Sequence, residues 1–241
     1  MKQSQAKKHD NAMTNKILMG LITLVLGLLF LEILIIHSKN EQQKSASNQV
    51  QTARIMANGD LLYHDGLYMS ALQADGSYDF TENFTYVKPW LKQADLVLGD
   101  FEGTINPDYP LSGYPLFNAP QSVTAVIKDA GYDVMDLAHN HILDSGLEGA
   151  FTTADAFKEV GIDPVGVYEN PVRDKAPLLI KNVNGIKVAI LSYAYGYNGL
   201  ESNLTDKEVA DHLSNLDEKR MKAEIQRAEK EADVTVIMPQ M

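Results

Sequence analysis

The stretch "DLAHNHILDSG", residues 136–146, places several side chains suited to metal and proton chemistry within a few positions. It contains His139, Asn140 and His141, and Asp144 follows three residues later. Histidine is scarce, with 6 in 241 residues, so two histidines one residue apart stand out. A carboxylate partner fixes the tautomer and orientation of a histidine. We therefore interpret His141 with Asp144 as functional, and His139 as a hydrogen-bonded histidine beneath a sheet edge.

Two earlier stretches carry acidic residues in a similar position. "ARIMANGD" ends at Asp60, and "ADLVLGDFEG" contains Asp100 and Glu102. Each acid taken alone is compatible with a turn, a helix cap or a polar loop. Both stretches begin with the short apolar run typical of a buried strand. In open α/β sheets, ligand sites form outside the carboxyl ends of the strands, so we expect these acids to converge with Asn140 and His141.

The donor types in this group define the chemistry to expect. Carboxylate oxygens with an imidazole suit a divalent cation such as Mn, Fe or Zn. Two such ions a few ångströms apart would serve phosphoester chemistry, because they hold the attacking and leaving oxygens.

Strand-like and helix-like segments alternate through the rest of the chain. Four further strands are predicted from "YDVMDLAHNH", "GIDPVGV", "IKVAILSYA" and "ADVTVIMPQ". Helices are predicted from "APQSVTAVIKDAGY", from "GLEGAFTTADAFKEVG", which ends at Gly161, and from "LDEKRMKAEIQRAEKEA". This alternation is typical of an α/β domain.

Composition excludes some classes of protein. The chain has no cysteine, so it has neither disulfides nor a thiolate zinc site. The formal net charge is -11, yet residues 1–50 carry 6 lysines against 3 acidic residues. The remaining domain is therefore strongly acidic. It would repel nucleic acid, so no nucleic-acid partner is expected.

An apolar run at residues 17–36 contains one charged residue, Glu32. Because about twenty residues span a bilayer, we predict a transmembrane helix there. A cleaved signal peptide and a buried core helix are the alternatives. The run is longer than a usual signal-peptide core, and no small-residue cleavage site follows it closely.

The flanks of this run predict its orientation and the domain boundaries. Four lysines precede it and two follow it closely, which favours a cytoplasmic N-terminus. We expect residues 1–16 to be cytoplasmic, 37–51 to form a linker, and 52–241 to form an extracellular α/β domain. The predicted location is the bacterial cell membrane, with a single pass.

Three segments resemble the CapA-like family of bacterial capsule and poly-gamma-glutamate biosynthesis proteins. They are "NGDLLYH", "LVLGDFEGTI" and "LAHNHILDSGLEGAFTTADAFKEVGI". The family pattern is a strand ending in Gly-Asp, one ending in Asn-Leu-Glu, and one ending in Asn-Asn-His before an Asp. Calcineurin-like metallophosphoesterases are related in fold, so the resemblance implies a metallophosphoesterase-like layered α/β sandwich from about residue 54 onward.

The resemblance also implies metal ligands. By position, Asp60 would be a ligand of the first metal, and Glu102 would match the acid of the family. Asp100 stands in place of an Asn, and Asn140 would be the metal-ligating amide.

The resemblance implies a catalytic role for His141. It would lie beside the substrate as an acid or phosphate-binding group, oriented by Asp144. His64 is a further candidate, although it follows Asp60 by four residues, whereas the phosphoesterases place their early His two residues after the Asp.

Departures from the pattern lie in two places. His139 replaces the first Asn of the pair. Where the family shows a His at the end of the last strand, this chain has Met238-Pro239-Gln240-Met241, and the closing Gly-His-x-Pro-His segment is absent. These departures predict a domain truncated at its C-terminus and an incomplete site.

Three functions stay open on this sequence. The first is a membrane-anchored component of capsule or poly-gamma-glutamate synthesis and export, working with membrane-embedded synthase or export subunits. The second is a metal-dependent phosphoesterase-like hydrolase acting on an exported substrate. The third is a plain binding domain for anionic cell-wall polymer, although the acidic domain would repel a polymer such as polyglutamate unless cations bridged the two. Anionic capsule polymer is accordingly a candidate partner.

Overall fold

The computed structural model of the protein describes residue 19, residues 27–39 and residues 50–241. Residues 27–39 are helical. The predicted transmembrane segment, 17–36, lies partly outside the described residues. Within the described part of the chain, no helix is long and apolar enough to cross a membrane. The chain divides between Val50 and Gln51 into two units.

The second unit contains two sheets. The first is parallel in the order β1-β2-β3-β4, and the second has the order β5-β6-β7. Strands β5 and β6 are antiparallel, whereas β6 and β7 are parallel. The strands are β1 (Ile55–Asp60), β2 (Leu96–Asp100), β3 (Val134–Asp136), β4 (Asp163–Val165), β5 (Leu179–Val183), β6 (Ile186–Ala194) and β7 (Val234–Gln240). All six predicted strands are confirmed, and β5 is an addition.

Six α-helices connect these strands within residues 50–241. They are α1 (Asp65–Ala71), α2 (Lys88–Leu91), α3 (Ser122–Ala130), α4 (Gly146–Glu159), α5 (Asp206–His212) and α6 (Glu218–Glu231). The predicted helices correspond to α3, α4 and α6. Gly161 follows α4 with a φ of +76°, a backbone conformation that glycine adopts easily and that ends the helix there.

Side-chain alternation along the strands arranges these elements in four layers. Leu96 and Leu98 of β2 share an apolar cluster with Val188 and Ile190 of β6, so the two sheets pack face to face. The intervening Val97 points the other way and packs with the apolar faces of α3 and α4. Each fully buried Val or Leu of this kind contributes roughly 1.5–3 kcal/mol to folding.

The outer layer of the second sheet is α6. Ala189, Leu191 and Tyr193 on the outer face of β6 pack against Ala228 of this helix. The order of layers is helix, sheet, sheet, helix. The predicted layered α/β sandwich is therefore confirmed for residues 51–241.

Candidate acidic site at the strand ends

A row of three aspartates crosses the carboxyl ends of the first three strands. Asp60 of β1 is in register with Asp100 of β2, and Asp100 is in register with Asp136 of β3. Neighbouring strands lie only about 4.8 Å apart, so these carboxyl groups are close neighbours. The structure therefore brings together Asp60 and Asp100, as the sequence predicts, and adds Asp136.

Burial of Asp100 and Asp136 makes it electrostatically unfavourable to ionise every carboxyl group of this row. Asp100 is only 7% exposed, and its Oδ1 has no hydrogen-bond partner among the described residues. Burial, with the nearby charges of Asp136 and Asp60, raises the pKa of Asp100 to about 8. Burial likewise raises the pKa of Asp136 to about 7, although Ser192 Oγ and the Ala138 N–H both donate to its Oδ1.

Glu102 adds a fourth carboxyl group just beyond β2. It is buried, and its backbone N–H donates to Leu61 O at 3.3 Å. Burial and the adjacent Asp60 carboxyl raise the pKa of Glu102 to about 8.

The backbone of β2 packs closely against its neighbours at Gly99, since a Cβ on Gly99 would lie 2.8 Å from the Tyr132 ring. A side chain at position 99 would therefore force the buried Tyr132 ring or the strand that carries Asp100 to shift.

Asn140 follows β3 and is held by hydrogen bonds from two directions. Its backbone N–H donates to Gln240 Oε1 at 2.7 Å, and Gln240 Nε2 donates to Asn140 Oδ1 at 2.8 Å. The same Nε2 lies 3.5 Å from Glu102 Oε1. On the other side, Asn140 Nδ2 donates to Asn198 Oδ1 at 3.1 Å. The amide thus links the carboxyl ends of both sheets.

His141 and Asp144 form the predicted pair. His141 Nδ1 lies 2.7 Å from Asp144 Oδ2, which also accepts from the Phe117 N–H at 2.6 Å. The Phe117 ring stands edge-on to the imidazole, with 4.7 Å between centroids. Since the carboxylate accepts at Nδ1, the proton of neutral His141 belongs there, and Nε2 is left as the basic nitrogen.

The other two histidines near the site, His139 and His64, use their Nδ1 atoms for local hydrogen bonds and not as ligands of the site. His139 is fully buried, its Nδ1 accepts from the His141 N–H at 3.2 Å, and burial lowers its pKa to about 3. This agrees with the interpretation of His139 as a hydrogen-bonded histidine under the sheet edge. His64 caps α1, because its Nδ1 accepts from the Asp65 N–H at 2.7 Å.

A cleft of about 580 Å³ opens beside these groups. Its lining includes Asp60, Glu102, Asn140, Asn198, Glu201 and Gln240. Within the described part of the chain, no Lys or Arg side chain lines it. An anionic ligand would therefore meet only carboxylates and neutral groups in this cleft.

Some buried polar atoms have no hydrogen-bond partner, and two of them, on Tyr197 and Glu201, belong to residues that line the cleft. Such atoms are expensive to bury. Among the described residues they include Asp100 Oδ1, His139 Nε2, Asp144 Oδ1, Tyr197 Oη and Glu201 Oε2.

The donor chemistry fits a hard divalent cation. Asp60, Asp100, Glu102 and Asn140 offer carboxylate and amide oxygens, and a cation would relieve the repulsion within the carboxylate row. In the described residues, however, no three His, Asp or Glu side chains already form a group that could hold a metal ion. The predicted ligands are therefore neighbours, but they do not form a preassembled coordination shell.

Four residues of the site were missed by the sequence reasoning. Asp136 lies inside the quoted "DLAHNHILDSG" stretch, and the available signal was its place at the end of a short apolar run, like that of Asp60 and Asp100. Asn198 precedes Gly199 after β6, and this Asn-Gly pair is a turn signal at the carboxyl end of a strand. Gln240 was noted only as the absence of a His. Phe117 carries no signal in the sequence.

Taken together, the fold and the site define an α/β sandwich domain with an acidic cleft at its strand ends. The sequence profile of the family described as "Bacterial capsule synthesis protein PGA_cap" matches residues 54–241. The chain belongs to this family of bacterial capsule synthesis proteins.

Two relatives of this chain are named as capsule or PGA biosynthesis proteins. The chain is 36% identical over 115 residues to the capsule biosynthesis protein CapA of Bacillus anthracis, covering 46% of this chain and 28% of the relative. It is 26% identical over 189 residues to the PGA biosynthesis protein CapA of Bacillus subtilis (strain 168), covering 77% of this chain and 48% of the relative. The chain thus matches less than half the length of either relative.

Among solved structures, the chain is similar to a protein described as a 5′-nucleotidase from Staphylococcus aureus, in complex with alpha-ketoglutarate. The TM-score is 0.49 at 13% identity, covering 78% of this chain and 37% of that chain. A likeness at this level is too loose to carry over any property of that protein.

Proposed function

We propose that this protein is a membrane-anchored component of capsule or poly-gamma-glutamate synthesis and export. Its α/β domain works outside the cell membrane and depends on a divalent cation held at the strand ends. Membership of the capsule synthesis family supports the process, and the acidic cleft supports the cation.

The anchor is the apolar run at residues 17–36, with the N-terminus in the cytoplasm. The lysines that precede this run outnumber those that follow it closely, which favours this orientation. Digestion of intact cells with an added protease tests the topology. The domain should be removed from intact cells, and its survival there with digestion only after lysis would contradict the proposal.

The proposed partners are membrane-embedded synthase or export subunits and the anionic polymer that they produce. The cleft itself disfavours direct capture of an anion, because Asp60, Glu102 and Glu201 line it without a basic side chain among the described residues. A cation bound between these carboxylates and the polymer would turn the electrostatic repulsion between them into attraction.

The observation that carries the proposal is the in-register row Asp60, Asp100 and Asp136 in a member of this family. Deletion of the gene should lower the amount of surface polymer, and the wild-type gene should restore it. An Asp60→Ala copy, produced at the same level, should fail to restore it. Unchanged surface polymer on deletion would contradict the proposed process, and full restoration by Asp60→Ala would contradict a role for the site.

A second function, hydrolysis of a phosphoester or related bond in an exported substrate, is favoured by the His141–Asp144 pair. A bound divalent cation would supply Lewis-acid polarisation of a phosphoryl oxygen. Asp60, Asp100, Glu102 and Asn140 would hold it. His141, oriented through Nδ1 by Asp144, would protonate the leaving oxygen from Nε2 when the ring is charged.

If the protein is a hydrolase, His141→Ala and Asp60→Ala should differ in whether they keep the cation. His141→Ala should lose turnover of a generic aryl phosphate by a factor of about 10²–10⁴ while it keeps its cation. Asp60→Ala should lose both cation and turnover. A wild-type chain that holds its cation but turns over no phosphoester would contradict the hydrolase and leave the first function standing.

A further inference from the structure

A short surface segment before β2, residues 86–93, exposes large apolar side chains that the core does not use. Tyr86 is 89% exposed, Val87 is 47% exposed and Trp90 is 63% exposed. None of the three belongs to an apolar cluster of the described residues. Exposed apolar side chains that lie together on a surface mark a place where the protein contacts something else. We call residues 86–93 the Trp90 segment.

Helical spacing brings these three side chains together. The N–H groups of Trp90 and Leu91 both donate to Val87 O, at 2.9 Å and 3.0 Å, and the Val87 N–H donates to Phe84 O at 3.1 Å. The chain is therefore coiled from Phe84 into α2. Residues three and four apart are neighbours on such a coil, so Trp90 lies beside Val87 and Tyr86. Leu91 packs against the core and holds the coil in place.

The same segment carries a positive charge on a domain that is strongly acidic. It contains Lys88 and Lys92 and no acidic residue. Lys88 Nζ donates to Asp129, which offsets its charge, whereas Lys92 is exposed. Exposed Trp and Tyr together with Lys are typical of protein surfaces at a membrane–water interface. An anionic lipid surface can approach this domain only where the local charge is not negative, and the Trp90 segment meets that condition.

The Trp90 segment lies at the amino edge of the first sheet. The Asp95 N–H donates to Arg54 O at 2.8 Å, and Arg54 Nη1 donates to Gln93 O at 3.2 Å, so the segment adjoins the residues that lead into β1. A Cβ on Gly131, before β3, would lie 3.7 Å from Lys92 Cγ. Because β1, β2 and β3 are parallel, this edge is opposite to the carboxyl ends that form the acidic cleft.

We propose that the Trp90 segment docks the domain onto an anionic phospholipid surface, with Tyr86, Val87 and Trp90 in the lipid interface and Lys92 among the headgroup phosphates. The docked domain then presents its acidic cleft away from the bilayer, toward exported polymer. A weak contact is sufficient, because a tether makes docking intramolecular, and this step rests on the proposed membrane anchor.

The single tryptophan of the chain makes the test direct. The full-length chain is reconstituted into phosphatidylglycerol vesicles with and without brominated lipid, which quenches tryptophan fluorescence on contact. The chain has no tryptophan other than Trp90, so the signal reports on this segment alone. In brominated vesicles the Trp90 emission should lose intensity, and in both kinds of vesicle it should lie at shorter wavelength than for a tryptophan in water. Unquenched emission would overturn the proposal.

A relocated tryptophan is the matched control. Trp90→Phe combined with Tyr109→Trp moves the tryptophan to a residue that is 51% exposed and follows β2 instead of preceding it. A strand of this length separates the two positions by about 16 Å. The relocated tryptophan should stay unquenched. Equal quenching at both positions would overturn docking by the Trp90 segment.

Charge variants test the contribution of Lys92. Lys92→Gln should lower the ratio of docked to undocked domain about fivefold, the factor expected for one lysine at an anionic surface. Lys222→Gln removes an exposed lysine of α6 and should leave this ratio unchanged. The same loss in both variants would overturn a local electrostatic contact.

Flotation of the same vesicles separates this proposal from the membrane anchor. A chain that does not float with the vesicles contradicts the anchor and the tethered docking alike. A chain that floats while its Trp90 stays unquenched keeps the anchor and overturns the docking. Flotation together with quenched Trp90 and an unquenched relocated tryptophan supports both.

Discussion

Residues 51–241 contain two clusters of charged groups with buried members, Arg173 in one and Asp100 with Asp136 in the other, and they are built in opposite ways. Around Arg173 every charge has a partner: its Nε and Nη2 each donate to the Glu224 carboxylate at 2.9 Å, and Nη1 donates to Leu213 O at 3.0 Å. Tyr193 Oη completes the cluster with a 2.8 Å bond to Glu224. At the strand ends, by contrast, Asp100 and its neighbours are all acids.

The difference separates a structural cluster from a functional one. A buried ion pair with all its hydrogen bonds made stabilises one arrangement of the chain. A row of carboxyl groups with two buried members costs stability at neutral pH, because the folded state disfavours their ionisation, and groups with such shifted pKa values cluster at functional sites. The comparison therefore indicates a ligand for the strand-end cluster and none for the Arg173 cluster.

Breaking the paired cluster should give the largest effect. Arg173→Met leaves the partly buried Glu224 without its partner, so the free energy of unfolding should fall by about 2–4 kcal/mol. Urea unfolding at pH 7 measures this loss. The double variant Arg173→Met with Glu224→Met should lose less than the single one, because no charge is left unpaired. A single-variant loss below about 1 kcal/mol would show that the cluster does not stabilise the fold.

Relieving the row of like charges should give a smaller effect of opposite sign. The folded-state pKa of Asp100 is raised to about 8 from an ordinary value of 3.8. Its contribution to stability is therefore full below about pH 4 and is lost as the pH rises to about 8. In chelator at pH 8, Asp100→Asn should be more stable than the wild type by about 1–3 kcal/mol.

The control for this prediction is Asp155→Asn, which removes an exposed acid paired with Lys158. Asp155→Asn should change the free energy of unfolding by less than about 1 kcal/mol at both pH 5 and pH 8. Equal stability of wild type and Asp100→Asn across pH 5 to 8 would mean that the buried row carries no repulsion.

The smallest expected effect concerns the His141–Asp144 pair. Asp144→Asn keeps an oxygen for the Phe117 N–H but weakens the hold on His141 Nδ1, so about 1 kcal/mol of stability should be lost. The sharper readout is the tautomer of His141, measured by ¹⁵N NMR of the ring. Wild type should show the Nδ1–H form, and Asp144→Asn should shift it toward Nε2–H. The same tautomer in both would contradict the orienting role of Asp144.

Much of the fold could be predicted from the sequence, because apolar runs and amphipathic periods are local. The runs ending at Asp60 and Asp100 form β1 and β2, and α4 ends at Glu159, two residues before the Gly161 that its pattern marks as the stop. Strand β5 was missed because "LIKNV" alternates too briefly to stand out from a loop. Helices α1 and α5, with 7 residues each, are also too short for a clear period.

The site was predictable only where its residues follow strands of the first sheet. Asp60, Asp100, Glu102 and Asn140 share that position, so one rule about strand ends finds them all. Gln240 comes from the second sheet, and its contact with Asn140 spans 100 residues, which no local pattern reports. This contact depends on how the two sheets stack, which is a property of the tertiary structure and not of any local sequence pattern.

The central claim is that the strand-end acids bind a divalent cation. The most direct test is the metal content of the purified full-length chain after exposure to Mn²⁺, Fe²⁺ and Zn²⁺, measured by mass spectrometry for wild type, Asp60→Ala and His141→Ala. Our account predicts one equivalent in wild type and in His141→Ala, and none in Asp60→Ala. No metal in the wild type, or an undiminished equivalent in Asp60→Ala, would contradict it.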